Sequence, residues 1–135
     1  MKSQQTETEL ISKAAKAMIN AYAPYSGFSV GAAVLSDKGR IFTGANVENA
    51  SYGATICAER SAVTSAVSAG HRRFKAVAVI ADSPEPVPPC GACLQVLSEF
   101  CDDNSLIICA SSQNPGRTIR YRLKELLPKR FKLEQ

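Results

Sequence analysis

Apolar residues Leu10, Ile11, Ala14, Ala15, Met18, Ala21 and Tyr22 recur at helical spacing, which predicts an amphipathic first helix stopped by Pro24. The pattern then changes. Ser29 to Ser36 and Arg40 to Asn46 read as two strands joined by Asp37-Lys38-Gly39, a hairpin turn with glycine where positive φ is tolerated. Residues 47–54 read as a loop, and a helix runs from near Cys57 to Gly70 with an interior of Ala, Ser, Thr and Val. Side chains that small on every face predict close packing on more than one side. Lys75 to Ala81 is a continuous apolar run, as expected of a strand covered on both faces.

The proline-rich stretch Asp82 to Pro89 is a stiff connection, after which Gly91 to Phe100 reads as a helix with Leu94 and Leu97 inward. Leu106 to Ala110 is a further strand, Thr118 to Tyr121 an edge strand, and Leu123 to Leu127 a short helix ended by Pro128. This order predicts an α/β fold, a three-layer α/β/α domain around a mixed five-stranded sheet. The 135 residues fit a single domain, 1–135, and a domain of this size buries roughly two-thirds of the surface its unfolded chain exposes.

Chemistry enters at two short motifs. Cys57-Ala58-Glu59 and, after a long gap, Pro89-Cys90-Gly91-Ala92-Cys93 supply three thiolate ligands for zinc and one unattached carboxylate. Structural zinc is usually closed by four protein ligands, whereas a catalytic zinc keeps one position open. If Cys57 and the second motif each stand where the chain enters a helix, the metal lies between two helix N-termini, whose N–H groups and dipoles favour thiolates. Three thiolates and Zn²⁺ sum to one negative charge, and Arg60 is the neighbouring cation placed to offset it. Asn46 and Glu48 stand two apart at a strand end, so both side chains project to one face, where an amide and a carboxylate can grip a sugar hydroxyl.

The pattern of Cys57, Glu59, Cys90 and Cys93 is the signature of zinc deaminases, with cysteine at position 57 where many members carry histidine. Phe28-Ser29-Val30-Gly31-Ala32-Ala33, Thr43 to Gly53 and Cys57-Ala58-Glu59-Arg60-Ser61-Ala62 narrow the likeness, and the chain resembles small homotetrameric cytidine deaminases over nearly its whole length. The resemblance implies zinc-dependent hydrolysis of cytidine and 2′-deoxycytidine to the uracil nucleosides with release of ammonia, as in pyrimidine salvage, with one zinc per subunit. Zinc brings the pKa of water to about 7, and Glu59 is the proton carrier between that water, ring N3 and the departing ammonia. The resemblance further implies that Arg60 bonds the cysteine sulfurs and that Asn46 and Glu48 hold the ribose 3′-hydroxyl. Phe28 would stack on the pyrimidine and the Ala54 N–H would meet the base O2. Ala50 and Tyr52 would reach a neighbouring subunit's pocket, as would Phe131. The chain departs from the pattern at Leu94, where many relatives carry Arg, and at Lys129-Arg130, which replaces small residues.

Composition constrains the remaining classes. Hydrophobic residues are 45% and charged residues 21%, an ordinary globular balance. The net charge of +4 arises from the C-terminal stretch, where Arg117, Arg120, Arg122, Lys124, Lys129, Arg130 and Lys132 face only Glu125 and Glu134. No stacking aromatics interleave them, so they read as a solvated face and not as a nucleic-acid surface. An odd count of five cysteines, with a C-x-x-C pair, favours metal over disulfides. Cys109 reads as a buried thiol and Cys101 as the close of a helix, and His71, the one histidine, as a surface residue. No apolar run can span a bilayer and the first seven residues lack a signal-peptide core, so a cytoplasmic enzyme without a membrane partner is expected. A nucleotide deaminase would need a phosphate cradle, and a noncatalytic zinc module would need a fourth ligand; neither is evident.

Overall fold

The computed structural model describes residues 2–133; Met1 and Glu134, which entered the sequence reading, lie outside the described residues. The elements are α1 (Lys2–Met18), β1 (Val30–Ser36), β2 (Ile41–Ala45), a 3-10 turn (Tyr52–Ala54), α2 (Ala58–Ser68), β3 (Phe74–Ala81), α3 (Gly91–Phe100), β4 (Cys101–Ser111), β5 (Thr118–Arg122) and α4 (Leu123–Leu126). The strands form one sheet in the order β2-β1-β3-β4-β5. The β3–β4 pair is parallel and the other three pairs are antiparallel, so the sheet is mixed as expected.

Alternation along the strands divides the core into two layers. Ala33, Ala76, Ala78, Ile80, Ile108 and Ala110 turn to one face, where they meet Leu10 and Ala14 of α1. Ala32, Val34, Val77, Val79, Ile107 and Cys109 turn to the other, where Ala62, Val63 and Ala66 of α2, Leu97 of α3 and Leu123 of α4 cover them. The small residues predicted to give α2 close packing do so against β2. A Cβ at Gly44 would stand 2.4 Å from the Ala62 backbone nitrogen and 2.8 Å from the Ala58 carbonyl oxygen. The Ser61 Cβ would be equally close, at 2.6 Å, so the helix lies directly on the strand backbone at Gly44, a contact that only glycine permits. The outer side of α2, at Thr64, Ser65 and Ser68, is exposed.

Most boundaries fall within two residues of the sequence reading, and two depart further. Helix α1 ends at Met18, short of Pro24. Tyr22 leaves the helical path to form a bridge with Val47, in which the Tyr22 N–H donates to Asn46 O at 2.9 Å and the Glu48 N–H donates to Tyr22 O at 2.8 Å. Tertiary pairing thus takes over apolar positions that continue the helical period. Strand β4 begins at Cys101, five residues early, through a register shift in which Phe74 pairs with Cys101 and Ala76 with Leu106. The Ser105 hydroxyl closes this bulge by donating to Phe74 O at 2.9 Å and accepting from the Asp102 N–H at 3.0 Å.

The C-terminal cations are also less uniform than a solvated face. Arg117 pairs with Glu85, and Arg120 with Glu7. Arg130, with only 16% of its side chain exposed, donates to Ser98 O at 3.0 Å and Cys101 O at 3.2 Å and pairs with Asp103. It satisfies carbonyls left over at the end of α3.

Candidate active site

The two cysteine motifs stand at equivalent places. Cys57 is the residue before α2 and Cys90 the residue before α3, each with extended backbone, and Cys93 lies in the first turn of α3. Parallel pairing of β3 with β4 requires a crossover, and α3 supplies it. The sulfurs of Cys57, Cys90 and Cys93 all lie within 4.8 Å of one another, and all five cysteines are free thiols. Tetrahedral zinc with Zn–S bonds of about 2.3 Å would draw sulfurs to about 3.8 Å apart, a modest contraction of this cluster.

The electrostatics fit a cation. Burial raises the Cys90 thiol, but hydrogen bonds from the N–H groups of Cys93 and Ala92 and from the thiols of Cys93 and Cys57 together hold it below its ordinary value. Cys93 is pushed strongly upward, first by burial and then by the charges of Glu59 and Cys57. A divalent cation among the three sulfurs would relieve that repulsion and favour the thiolates. Arg60 Nη2 donates to Thr55 O at 3.1 Å and to Cys57 Sγ at 3.6 Å, while its Nε is buried with no hydrogen-bond partner. A guanidinium held against sulfur offsets part of the negative charge that three thiolates carry.

Glu59, in the first turn of α2, is 5% exposed. Burial raises its carboxyl above the ordinary value, opposed first by its own backbone N–H and then by the charge of Arg60. A carboxyl whose pKa is raised by desolvation is suited to both accepting and returning a proton near neutral pH. It lines a cavity of about 210 Å³ together with Cys57, Cys90, Phe28, Val30 and Asn46. The structure therefore brings two of the three sulfurs, the buried carboxylate, an aromatic ring and an amide to one predominantly apolar cavity.

The remaining expected residues fall elsewhere. Asn46 spans the 28–30 segment: its Nδ2 donates to Phe28 O at 2.8 Å, and its Oδ1 accepts from the Val30 N–H at 2.9 Å. Glu48 does not share the cavity of Asn46. It lines a second cavity of about 360 Å³ with Tyr25, Ser26 and Tyr52, and Thr55 lines both. The Glu48 carboxylate accepts from the Tyr25 N–H at 3.0 Å, the Ser26 N–H at 3.1 Å and the Ser26 hydroxyl. Those bonds, the hydroxyl first, hold its carboxyl below the usual value.

The Ala54 N–H expected to meet the base is committed to Ser51 O at 2.9 Å within the 3-10 turn. Ala50 is exposed, Tyr52 is 84% exposed and Phe131 66%, so none is spent on the core of its own subunit. Phe131 is tethered through its carbonyl, which accepts from Gln95 Nε2 at 3.1 Å. Leu94 is buried in the core, and His71, read as a surface residue, is half-buried because its ring packs against Phe42, with centroids 4.9 Å apart and planes tilted by 55°. Sequence reasoning missed Ser26, Thr55 and the capping role of Arg130. Proximity to Phe28 was the only sequence signal at Ser26.

Among the described residues no helix is long and apolar enough to cross a membrane. The family model described as "Cytidine and deoxycytidylate deaminase zinc-binding region" matches residues 4–109. Cytidine deaminase of Halalkalibacterium halodurans is 48% identical over 125 residues, covering 93% of this chain and 93% of that protein. Cytidine deaminase of Mycobacterium tuberculosis is 45% identical over 121 residues, covering 90% and 86% respectively. The crystal structure of cytidine deaminase from Burkholderia pseudomallei superimposes with a TM-score of 0.86 at 44% identity, covering 92% of this chain and 98% of that one.

Proposed function

This chain belongs to the zinc-binding cytidine and deoxycytidylate deaminase family, and from that premise we propose that it converts both cytidine and 2′-deoxycytidine to the uracil nucleosides in cytoplasmic pyrimidine salvage, acting as a single catalytic domain over 1–135. The carrying observation is the convergence of the three-sulfur cluster and the buried Glu59 at a cavity whose other walls are Phe28 and Asn46. Cys57, Cys90 and Cys93 are the proposed zinc ligands. Zinc held there supplies a water acidified enough to attack at neutral pH.

The residues of the chain do the rest. Glu59 takes a proton, delivers it to ring N3, and carries the next to the amine leaving C4, so that water and the aminopyrimidine become the carbonyl product and ammonia. Phe28 stacks on the ring. Asn46 fixes the backbone on which Phe28 stands and keeps one N–H and one lone pair free for the sugar. Glu48 takes the 3′-hydroxyl, a group common to both substrates, and its negative charge disfavours a phosphate. The Ala54 N–H can serve the base O2 only by sharing with Ser51 O.

The proposed assembly is a homotetramer in which Ala50, Tyr52 and Phe131 complete sites across subunits. Its support is the set of apolar groups left facing outward at Tyr22, Val47, Tyr52, Ile56 and Phe131, together with the small exposed side chains of α2. The deciding assay incubates the zinc-loaded protein with cytidine, deoxycytidine, their monophosphates and a cytosine-containing oligonucleotide, following ammonia and ultraviolet absorbance. Turnover of both nucleosides is expected. Faster turnover of a monophosphate or of the oligonucleotide would overturn the nucleoside assignment, and full activity in a sedimenting monomer would overturn the shared sites.

A further inference from the structure

We propose that Ser26 is a positioning residue that ties the sugar end of the site to the base end, and that it leaves Glu48 able to accept from one sugar hydroxyl only. The inference rests on the proposed nucleoside reading and deepens it. A serine hydroxyl carries one proton and two lone pairs. In this chain the Ser26 Oγ gives its proton to Glu48 Oε2 and accepts from the Phe28 N–H at 3.0 Å. Because the carboxylate can only accept and the N–H can only donate, the direction of both bonds is fixed. Ser26 thereby joins the proposed sugar-binding carboxylate directly to the backbone of the proposed base-stacking ring.

The same contacts limit what Glu48 can do. An ionised carboxylate offers about four acceptor positions. Oε1 already accepts from the N–H groups of Tyr25 and Ser26, and Oε2 from the Ser26 hydroxyl. One position remains, on Oε2. A single free position reads one hydroxyl, so a carboxylate engaged with the 3′-hydroxyl has no capacity left to reward the 2′-hydroxyl. This is a physical reason for cytidine and deoxycytidine to be treated alike. The Ser26 bonds lie at the surface, so their loss should alter geometry without threatening the fold.

The test compares deoxycytidine with 2′,3′-dideoxycytidine on the zinc-loaded full chain and on Ser26→Ala and Ser26→Thr. Hydrogen bonds to charged groups are the stronger class. Ser26→Ala should accordingly raise KM for deoxycytidine about tenfold while kcat stays within about twofold. The dideoxy substrate, which has no 3′-hydroxyl, should lose far less, so the preference for deoxycytidine over it should shrink. Ser26→Thr, which retains the hydroxyl, should restore that preference. Equal losses on the two substrates would show general loosening and overturn the coupling, as would an unchanged preference. If the unaltered chain turns over neither cytidine nor deoxycytidine, the nucleoside reading fails and this inference falls with it.

Discussion

The first turns of α2 and α3 share a plan up to their third residue. Cys57 and Cys90 both stand at the N-cap with extended backbone, at φ −74, ψ 156 and φ −71, ψ 169. Two residues on, α2 carries Glu59 and α3 carries Ala92; three residues on, α2 carries Arg60 and α3 carries Cys93. One helix start therefore contributes a thiol, a buried carboxyl and a cation, and the other contributes two thiols. Had both followed the α3 plan, four thiols would have been available to close a structural metal site with no carboxylate. The departure at two positions of α2 leaves three thiols where four could have stood and sets a buried carboxyl beside them, as the proposed open zinc site and base require.

Breaking the α3 side should have the largest effect. Cys93→Ala is expected to remove zinc and activity together, read by metal analysis beside the deaminase assay; retained stoichiometric zinc would mean that Cys93 is not a ligand. Breaking the α2 side should separate the two. General acid–base groups contribute about 10²- to 10⁴-fold, and the proposed mechanism asks Glu59 for several proton transfers per turnover. Glu59→Ala should lower kcat at or beyond the upper end of that range while keeping one zinc per subunit and a native melting profile. Metal loss in this variant would instead make Glu59 a structural residue or a ligand.

Arg60→Gln should be milder, on the order of 10- to 100-fold in metal affinity or activity, as for other groups that orient metal ligands. Without the guanidinium against Cys57 the cluster is more negative and opposes proton release from the attacking water. The pH–rate profile should therefore move to higher pH. An unmoved profile with normal zinc content would remove Arg60 from the charge balance. Gly91→Ala should be the smallest change, because a Cβ there meets nothing within 4 Å. Zinc content and kcat should stay within about twofold, and the melting temperature should hold or rise slightly, since alanine restricts the unfolded chain.

The α2 and α3 starts were legible in the sequence because each motif is local: ligand, carboxylate and cation lie within four residues, and a helix fixes their relation. The sheet was legible for a similar reason, since alternation along β1 and β3 states which face each residue takes. Asn46 and Glu48 were not. The period of two assigned them to one face, but β2 ends at Ala45 and each side chain then finds a partner in the 25–30 segment, about twenty positions away in the chain. Nothing local to either residue encodes that partner. Arg130 was read with its basic neighbours for the same reason: the α3 carbonyls that hold it lie some thirty residues upstream.

Direct backbone contact at Gly44 has a bearing on which specificities can be evolved from this scaffold. Gly44 lies two residues before Asn46, and the segment of α2 that rests on it begins one residue after Cys57. The cysteine edge of the cavity and its Asn46 wall are thus joined across a contact made by backbone and the Ser61 Cβ, with no larger side chain to trim. Widening that span for a larger ring means displacing a helix against a sheet, whereas the Glu48 end, the proposed sugar site, is bounded by the exposed 25–28 loop and a few hydrogen bonds. Tolerance toward altered sugars should be reachable by single substitutions there, and tolerance toward bulkier bases should not.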